Sequence, residues 1–168
     1  MNSNDILHAL EYLLVGKGIK SYGVFGPDGI NCVISGKAPK VFIINTKGYP
    51  GQHWLAIICI EYDNYEVFDS YGNSVYIYNK YFRALGDLTV LENCVEYQSN
   101  GSDVCGQFAL YFIHQRLASI PYCKIVESFK VNDTNYNDNL VSNFYLERIK
   151  PFVKFRGNLP RCLSCKPK

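Results

Sequence analysis

Seven cysteines and three histidines are scattered along the 168 residues, and one cysteine stands where chemistry could be done. The stretch Gln98-Ser-Asn-Gly-Ser-Asp-Val-Cys105-Gly106 joins a lone amide side chain to a loop of turn formers, then to a thiol that opens an apolar run from Phe108 to Ile113. Asn100, Gly101 and Ser102 bend the backbone or bond it locally, and Ser102 or Asp103 can cap a helix whose first turn holds Cys105. A run that is apolar all round fits a helix buried in a core. A thiol at the start of such a helix feels the positive end of its dipole, which favours thiolate over thiol. Most cysteines are small buried hydrophobes, so position alone does not make Cys105 a nucleophile; it needs a base.

Three histidines are available for that task. His114 stands nine residues after Cys105, which on one helix is the opposite face and about 13 Å away. His8 lies on an opening helix with no acid or turn presenting it. His53 follows a Gly/Pro loop, Gly48-Tyr-Pro-Gly51, at a strand start, where a rigid scaffold commonly presents a working side chain. Elimination makes His53 the base and Asp69 the group placed to orient it. Gln98, ending a strand beside the nucleophile loop, can offer an amide N–H to an oxyanion together with the backbone N–H of Cys105. A metal site is poorly supported, because His53, Asp69 and Cys105 have no second ligand at close spacing, and the chemistry needs no cofactor.

The elements that must position these groups can be read in order. Residues 4–15 make an amphipathic helix, capped by Ser3 or Asn4, with Leu7, Leu10, Leu13 and Leu14 inward and Gly16 as its stop. Residues 21–40, with four glycines and two prolines, are expected to be an irregular connection. Strands are expected at 40–45, at 53–62, where the run is apolar enough for a central strand, at 65–70, and at 88–98. A tight turn at Asp63-Asn64 would set His53 opposite residue 74, so the strand pair must be staggered or bent for His53 to meet Asp69. Helices are expected at 75–85, from Cys105 to about Ser119, and after a cap at Thr134 or Asn135; a further strand is possible around 124–129. The fold class that follows is α+β: a mixed central sheet flanked by helices, with Cys105 at the N-terminus of a buried central helix.

Length suits one domain, taken as residues 1–150, followed by a basic C-terminal tail, 151–168. From 150 onward Lys150, Lys154, Arg156, Arg161, Lys166 and Lys168 stand with no acid, which leaves 11 Lys/Arg against all 15 Asp/Glu elsewhere, about −4. A basic tail on a mildly acidic body can touch nucleic acid or an acidic partner, or simply be solvated. The opening residues lack a basic n-region and no stretch approaches 18 apolar residues, so neither secretion nor a membrane span is expected. An odd, scattered cysteine set then suits reduced thiols and an intracellular life. Cys162-Leu-Ser-Cys165 is a single C-x-x-C with no second pair for zinc.

Taken together, His53-Trp54, Phe68-Asp69-Ser70-Tyr71-Gly72 and Gln98 through Cys105-Gly106 resemble the adenain family of adenovirus maturation proteases. They are more distantly similar to the SUMO/ubiquitin-like proteases of the same clan. The seven-residue step from Gln98 to Cys105 resembles adenain; the SUMO proteases place the glutamine one residue closer. Ile43-Ile-Asn-Thr-Lys-Gly48, Gly23-Val-Phe25 and the opening helix extend the resemblance over about residues 4–120. It implies an adenain-like cysteine proteinase fold and a Cys105–His53–Asp69 triad with Gln98 and Cys105 at the oxyanion. Gly51, Trp54 and Gly106 are the candidates for substrate contact. It also implies a viral cysteine endopeptidase that cuts precursor proteins at glycine-containing sites during virion maturation, in the host nucleus or cytoplasm and in the particle. An activating peptide or DNA is a family property. Here Cys94 is no clear counterpart of the cysteine that joins adenain to its peptide, and only the basic tail supports DNA. Two alternatives stay open: an isopeptidase acting on SUMO or ubiquitin-like conjugates, and a non-catalytic virion DNA-binding protein.

Overall fold

A five-stranded sheet in the order β1-β2-β3-β4-β5 organises the chain. It is seen in a computed structural model that describes residues 1–35, 37–46, 52–61, 64–78 and 89–153. The strands are β1 (Ser21–Phe25), β2 (Lys40–Asn45), β3 (Trp54–Cys59), β4 (Asn64–Phe68) and β5 (Thr89–Glu92). β1–β2 and β4–β5 pair in parallel, while β2–β3 and β3–β4 are antiparallel, so the sheet is mixed. β2 and β3 lie in its middle and are buried on both faces, which is why their sequences are continuous apolar runs rather than alternating ones.

The helices are α1 (Ser3–Leu14), α2 (Ile30–Ser35), α3 (Cys105–Leu117), α4 (Tyr122–Glu127), α5 (Thr134–Phe144) and α6 (Lys150–Val153), with α5 and α6 joined by a π turn at Tyr145–Ile149. Val41, Ile43, Ala56, Ile58 and Phe68 on one sheet face pack with α1 and α3. Phe42, Ile44, Leu55, Ile57 and Val67 on the other pack with Ile30, Val75 and Tyr78. This is the α+β arrangement expected from the sequence, with α3 as the buried central helix: eight of its residues from Cys105 to Ile113 are buried.

Phe68 is the pin between sheet and helix. Its ring stacks on Tyr97, Phe108, Phe112 and Phe129 at centroid separations of 4.9–6.4 Å. Phe68 precedes Asp69 and Phe108 follows Cys105 by three residues, so this aromatic contact fixes the carboxylate relative to the thiol. At the far end of α3, Arg116 grips Glu66 of β4 through two nitrogens, at 2.5 and 2.8 Å. Helix and strand are therefore tied at both ends.

Several local expectations are corrected. Residues 21–40 are not an irregular connection: β1 runs parallel to β2, and a short 3-10 turn and α2 lie between them. The glycines there punctuate these elements and do not abolish them. No strand forms at 124–129: Tyr122–Glu127 is a helix and a turn follows it, with Tyr122, Ile125 and Phe129 buried at three- and four-residue steps, a helical stripe. The expected strand to Gln98 ends at Glu92. Of the expected helix 75–85, residues 75–78 form a 3-10 turn, and 79–85 lie outside the described residues. The caps shift as well. Asn2 caps α1 in a reciprocal box with Asp5, Asp133 caps α5, and α3 starts after Val104 with no side-chain cap. The packed body passes residue 150, since Phe152 of α6 stacks on Tyr12 at 5.0 Å. Tail residues Lys154, Arg156, Arg161, Cys162, Cys165, Lys166 and Lys168 lie outside the described residues.

Candidate active site

His53 stands one residue before β3, and its position there is set by the sheet. The β2–β3 ladder carries on past Asn45↔Trp54 through a bond from Thr46 N–H to His53 C=O at 2.8 Å. The β3–β4 register, Ala56↔Phe68 and Ile58↔Glu66, resolves the difficulty over the strand turn. Continued by two or three residues it sets His53 opposite Tyr71, not residue 74, with Asp69 on the diagonal that long side chains can span. This register itself supplies the stagger required.

His53 Nε2 lies 2.6 Å from Asp69 Oδ1, both side chains nearly sealed from solvent at 3% and 2% exposure. Asp69 is held on every side. Its Oδ1 also accepts the Tyr71 backbone N–H at 2.8 Å, and its Oδ2 accepts the Tyr78 hydroxyl at 2.8 Å. Its own backbone is clamped by Asn93, whose Oδ1 accepts the Asp69 N–H at 2.9 Å and whose Nδ2 donates to the Asp69 carbonyl at 2.6 Å. Asn93 follows the last residue of β5, so its amide takes over the pairing that the strand no longer supplies. Gly72 turns the chain away with φ +67, against the Val95 backbone, where a Cβ would come within 2.4 Å of Val95 C. Only glycine fits there.

Cys105 opens α3 and is 9% exposed. Its position in the first turn leaves its backbone N–H without an intrahelical acceptor. Burial by itself would lower the pKa of His53. The hydrogen bond to Asp69, then the influence of Cys105, and the Coulombic pull of both, outweigh it and raise the pKa to about 9. Since Nε2 is committed to Asp69, Nδ1 is the nitrogen left for the thiol; it makes no hydrogen bond of good geometry. Contacts of this kind are commonly loose in free enzymes and tighten when substrate binds. The three stretches that elimination singled out are thus brought to one place.

Gln98 is fully buried beside them. Its Oε1 accepts the Ser70 hydroxyl at 2.7 Å, while Nε2 donates to Ser102 C=O at 2.7 Å and to the Tyr71 hydroxyl at 3.2 Å. Both amide protons are engaged, so in this state Gln98 has no N–H to spare for an oxyanion. Trp54 belongs to the core between sheet and α3. Gly106 packs against α1, where a Cβ would sit 3.1 Å from Ile6 Cδ1, so helix packing accounts for it. Gly51, the remaining candidate for substrate contact, lies outside the described residues. His114 sits near the C-terminal end of α3, its ring against Phe144 at 4.9 Å, with its pKa lowered by burial. Among the described residues no group of three or more His, Cys, Asp or Glu could hold a metal, and no helix is long and apolar enough to cross a membrane.

Sequence reasoning missed Asn93, Tyr78 and Ser70 as supports. Tyr71 lay inside a quoted motif without a role. Its ring packs on that of His53 at 4.7 Å, and only the pairing register could have revealed it.

No protein-family model and no curated protein matches the sequence. Among solved structures the chain is similar to the SUMO protease Ulp1 with its catalytic cysteine oxidised to a sulfinic acid. The TM-score is 0.48 and the identity 16%, covering 87% of this chain and 77% of that one.

Proposed function

We propose that the protein is a cysteine peptidase in which Cys105 is the nucleophile, His53 the base and acid, and Asp69 the orienting carboxylate. The observation that carries this is the buried His53–Asp69 pair at 2.6 Å with its open ring nitrogen beside a helix-opening thiol. The Cys105 sulfur attacks the scissile carbonyl as a thiolate, its proton already held by His53, which with a pKa of about 9 is an imidazolium at neutral pH. The imidazolium returns that proton to the leaving amine, leaving a thioester on Cys105. His53 then takes a proton from water as it attacks the thioester, and the acid product and free thiol are released. A ring whose pKa is about 9 remains a proton donor at neutral pH, as departure of an amine requires. No metal or cofactor enters these steps.

Within that class, the seven-residue Gln98–Cys105 step supports an adenain-like endopeptidase that cuts viral precursor proteins inside the infected cell and the particle. Incubation with glycine-containing precursor peptides beside SUMO- and ubiquitin-aminomethylcoumarin tests it. Cleavage of the peptides is expected; turnover of the tagged substrates alone would assign the isopeptidase function instead. Nucleic-acid binding through the tail is expected to weaken steeply with salt. Because Phe152 packs into the body, the truncation that tests it removes residues 154–168, and undiminished DNA binding would refute the role of that tail.

A further inference from the structure

The C-terminal end of α3, away from Cys105, borders a cavity of about 390 Å³, within the size range of small-molecule sites. Four parts of the chain meet there: Tyr12 of α1 with Lys17 just beyond it, His114 and Leu117 of α3, Arg148 of the π turn and Phe152 of α6. No carboxylate is in the lining. Among the described residues neither Lys17 nor Arg148 forms an ion pair, and His114 Nδ1, shut from solvent, has no hydrogen-bond partner. Burial first, then the charges of Lys17 and Arg148, lower the pKa of His114, against a smaller raising pull from Gln115. The two cations are thus close enough to act on one ring, which stays neutral at neutral pH.

The carbonyl end of a helix draws cations, but Arg116 already answers that need at α3: it donates to Ile120 C=O and pairs with Glu66. Lys17 and Arg148 come from other elements and converge on a cavity with no counter-charge, an arrangement that a bound anion relieves. The chain's own C-terminal tail offers no such charge, since Lys154, Arg156, Arg161, Lys166 and Lys168 stand there with no acid. Two cations match a dianion. Tyr12 and Phe152, stacked on each other at 5.0 Å, and Leu117 supply an apolar wall beside it.

We infer that this cavity binds a phosphate monoester with a small apolar or aromatic body, its phosphate held by Lys17 and Arg148 and its body against Tyr12, Leu117 and Phe152. His114 stands nine residues from Cys105, about 13 Å along the helix, so the site is separate from the catalytic one and does not depend on the peptidase reading.

Phenyl phosphate titrated into the full chain at pH 7 and low salt, followed by calorimetry and by the histidine ring signals in NMR, tests this. Saturable one-to-one binding is expected, moving the signals of His114 and not those of His53. Lys17 and Arg148 are exposed, so Lys17→Gln and Arg148→Gln should leave the fold intact and each weaken binding about tenfold or more. Lys150→Gln, an equally exposed cation outside the lining, should change it less than about twofold. Absence of binding, or affinity indifferent to Lys17 and Arg148, would overturn the assignment. So would an equal loss in Lys150→Gln, the mark of a diffuse basic surface. Benzyl alcohol binding as tightly as phenyl phosphate would refute the anion, and glucose 6-phosphate binding as tightly would refute the apolar body.

Discussion

On one side of the His53 ring every acceptor of Asp69 is taken: Oδ1 by His53 and the Tyr71 N–H, Oδ2 by the Tyr78 hydroxyl, the backbone by Asn93. On the other side the partners are loose. Nδ1 has no hydrogen bond of good geometry, and the nearby Ser102 hydroxyl, though buried, has none either. The fold spends its hydrogen bonds on fixing the carboxylate and leaves open the half that must accept a substrate. An orienting acid has to be rigid before substrate arrives, because a misplaced ring costs rate. A nucleophile and an oxyanion site have to exchange partners during turnover.

If that division is right, substitutions on the open side should destroy chemistry without unfolding the protein, and those on the saturated side should trade chemistry against stability. Cys105→Ala and His53→Ala are expected to lower peptide cleavage by on the order of 10⁴-fold or more, with far-UV dichroism unchanged. Asp69→Asn keeps the shape but disturbs the tautomer; roughly a 10³-fold loss is expected, less than for the nucleophile. Phe68→Ala breaks the aromatic pin and should cost about 3–5 kcal/mol by denaturant unfolding, with activity lost in proportion. Tyr78→Phe leaves Asp69 Oδ2 unpaired, at about 1–3 kcal/mol, and a loss of stability without a fall in kcat would show that Asp69 needs no help from that side.

The raised pKa of His53 gives a further contrast. The imidazolium is favoured in the folded state, so its contribution to stability is full below its ordinary value of 6.5 and disappears as pH rises through about 9. The wild type should lose stability across that window and His53→Gln should not, as urea midpoints at a series of pH values will reveal. The basic limb of kcat/KM should fall near the same pH.

How far these features could be read beforehand follows from the range of the interactions behind them. The apolar runs of β2 and β3, and the run behind Cys105, announced a central sheet and a buried helix, because burial leaves a mark on local composition. His53, Asp69 and Cys105 stood out for a similar reason, each at the end of such a run. Asn93, Tyr78 and Ser70 carried no mark: they act across gaps of 9 to 28 residues, fixed only once the strands are in register. The β1 and α2 region was hidden by its own glycines and prolines, and 122–127 by short apolar runs that fit strand and helix alike. The partners of the Gln98 amide, Ser102 C=O and the Tyr71 hydroxyl, were likewise out of reach, because they depend on how the loop before Cys105 packs against the sheet edge.

The most direct test of His53 acting on Cys105 is the rate of iodoacetamide modification at pH 7, followed by peptide mass mapping. The exposed thiols Cys94 and Cys123 serve as internal references in the same tube. Although Cys105 is the more buried, it should react at least about tenfold faster than either, and His53→Ala should bring it down to or below their rate. A Cys105 that reacts no faster than Cys94, or whose rate ignores the loss of His53, would contradict the assignment.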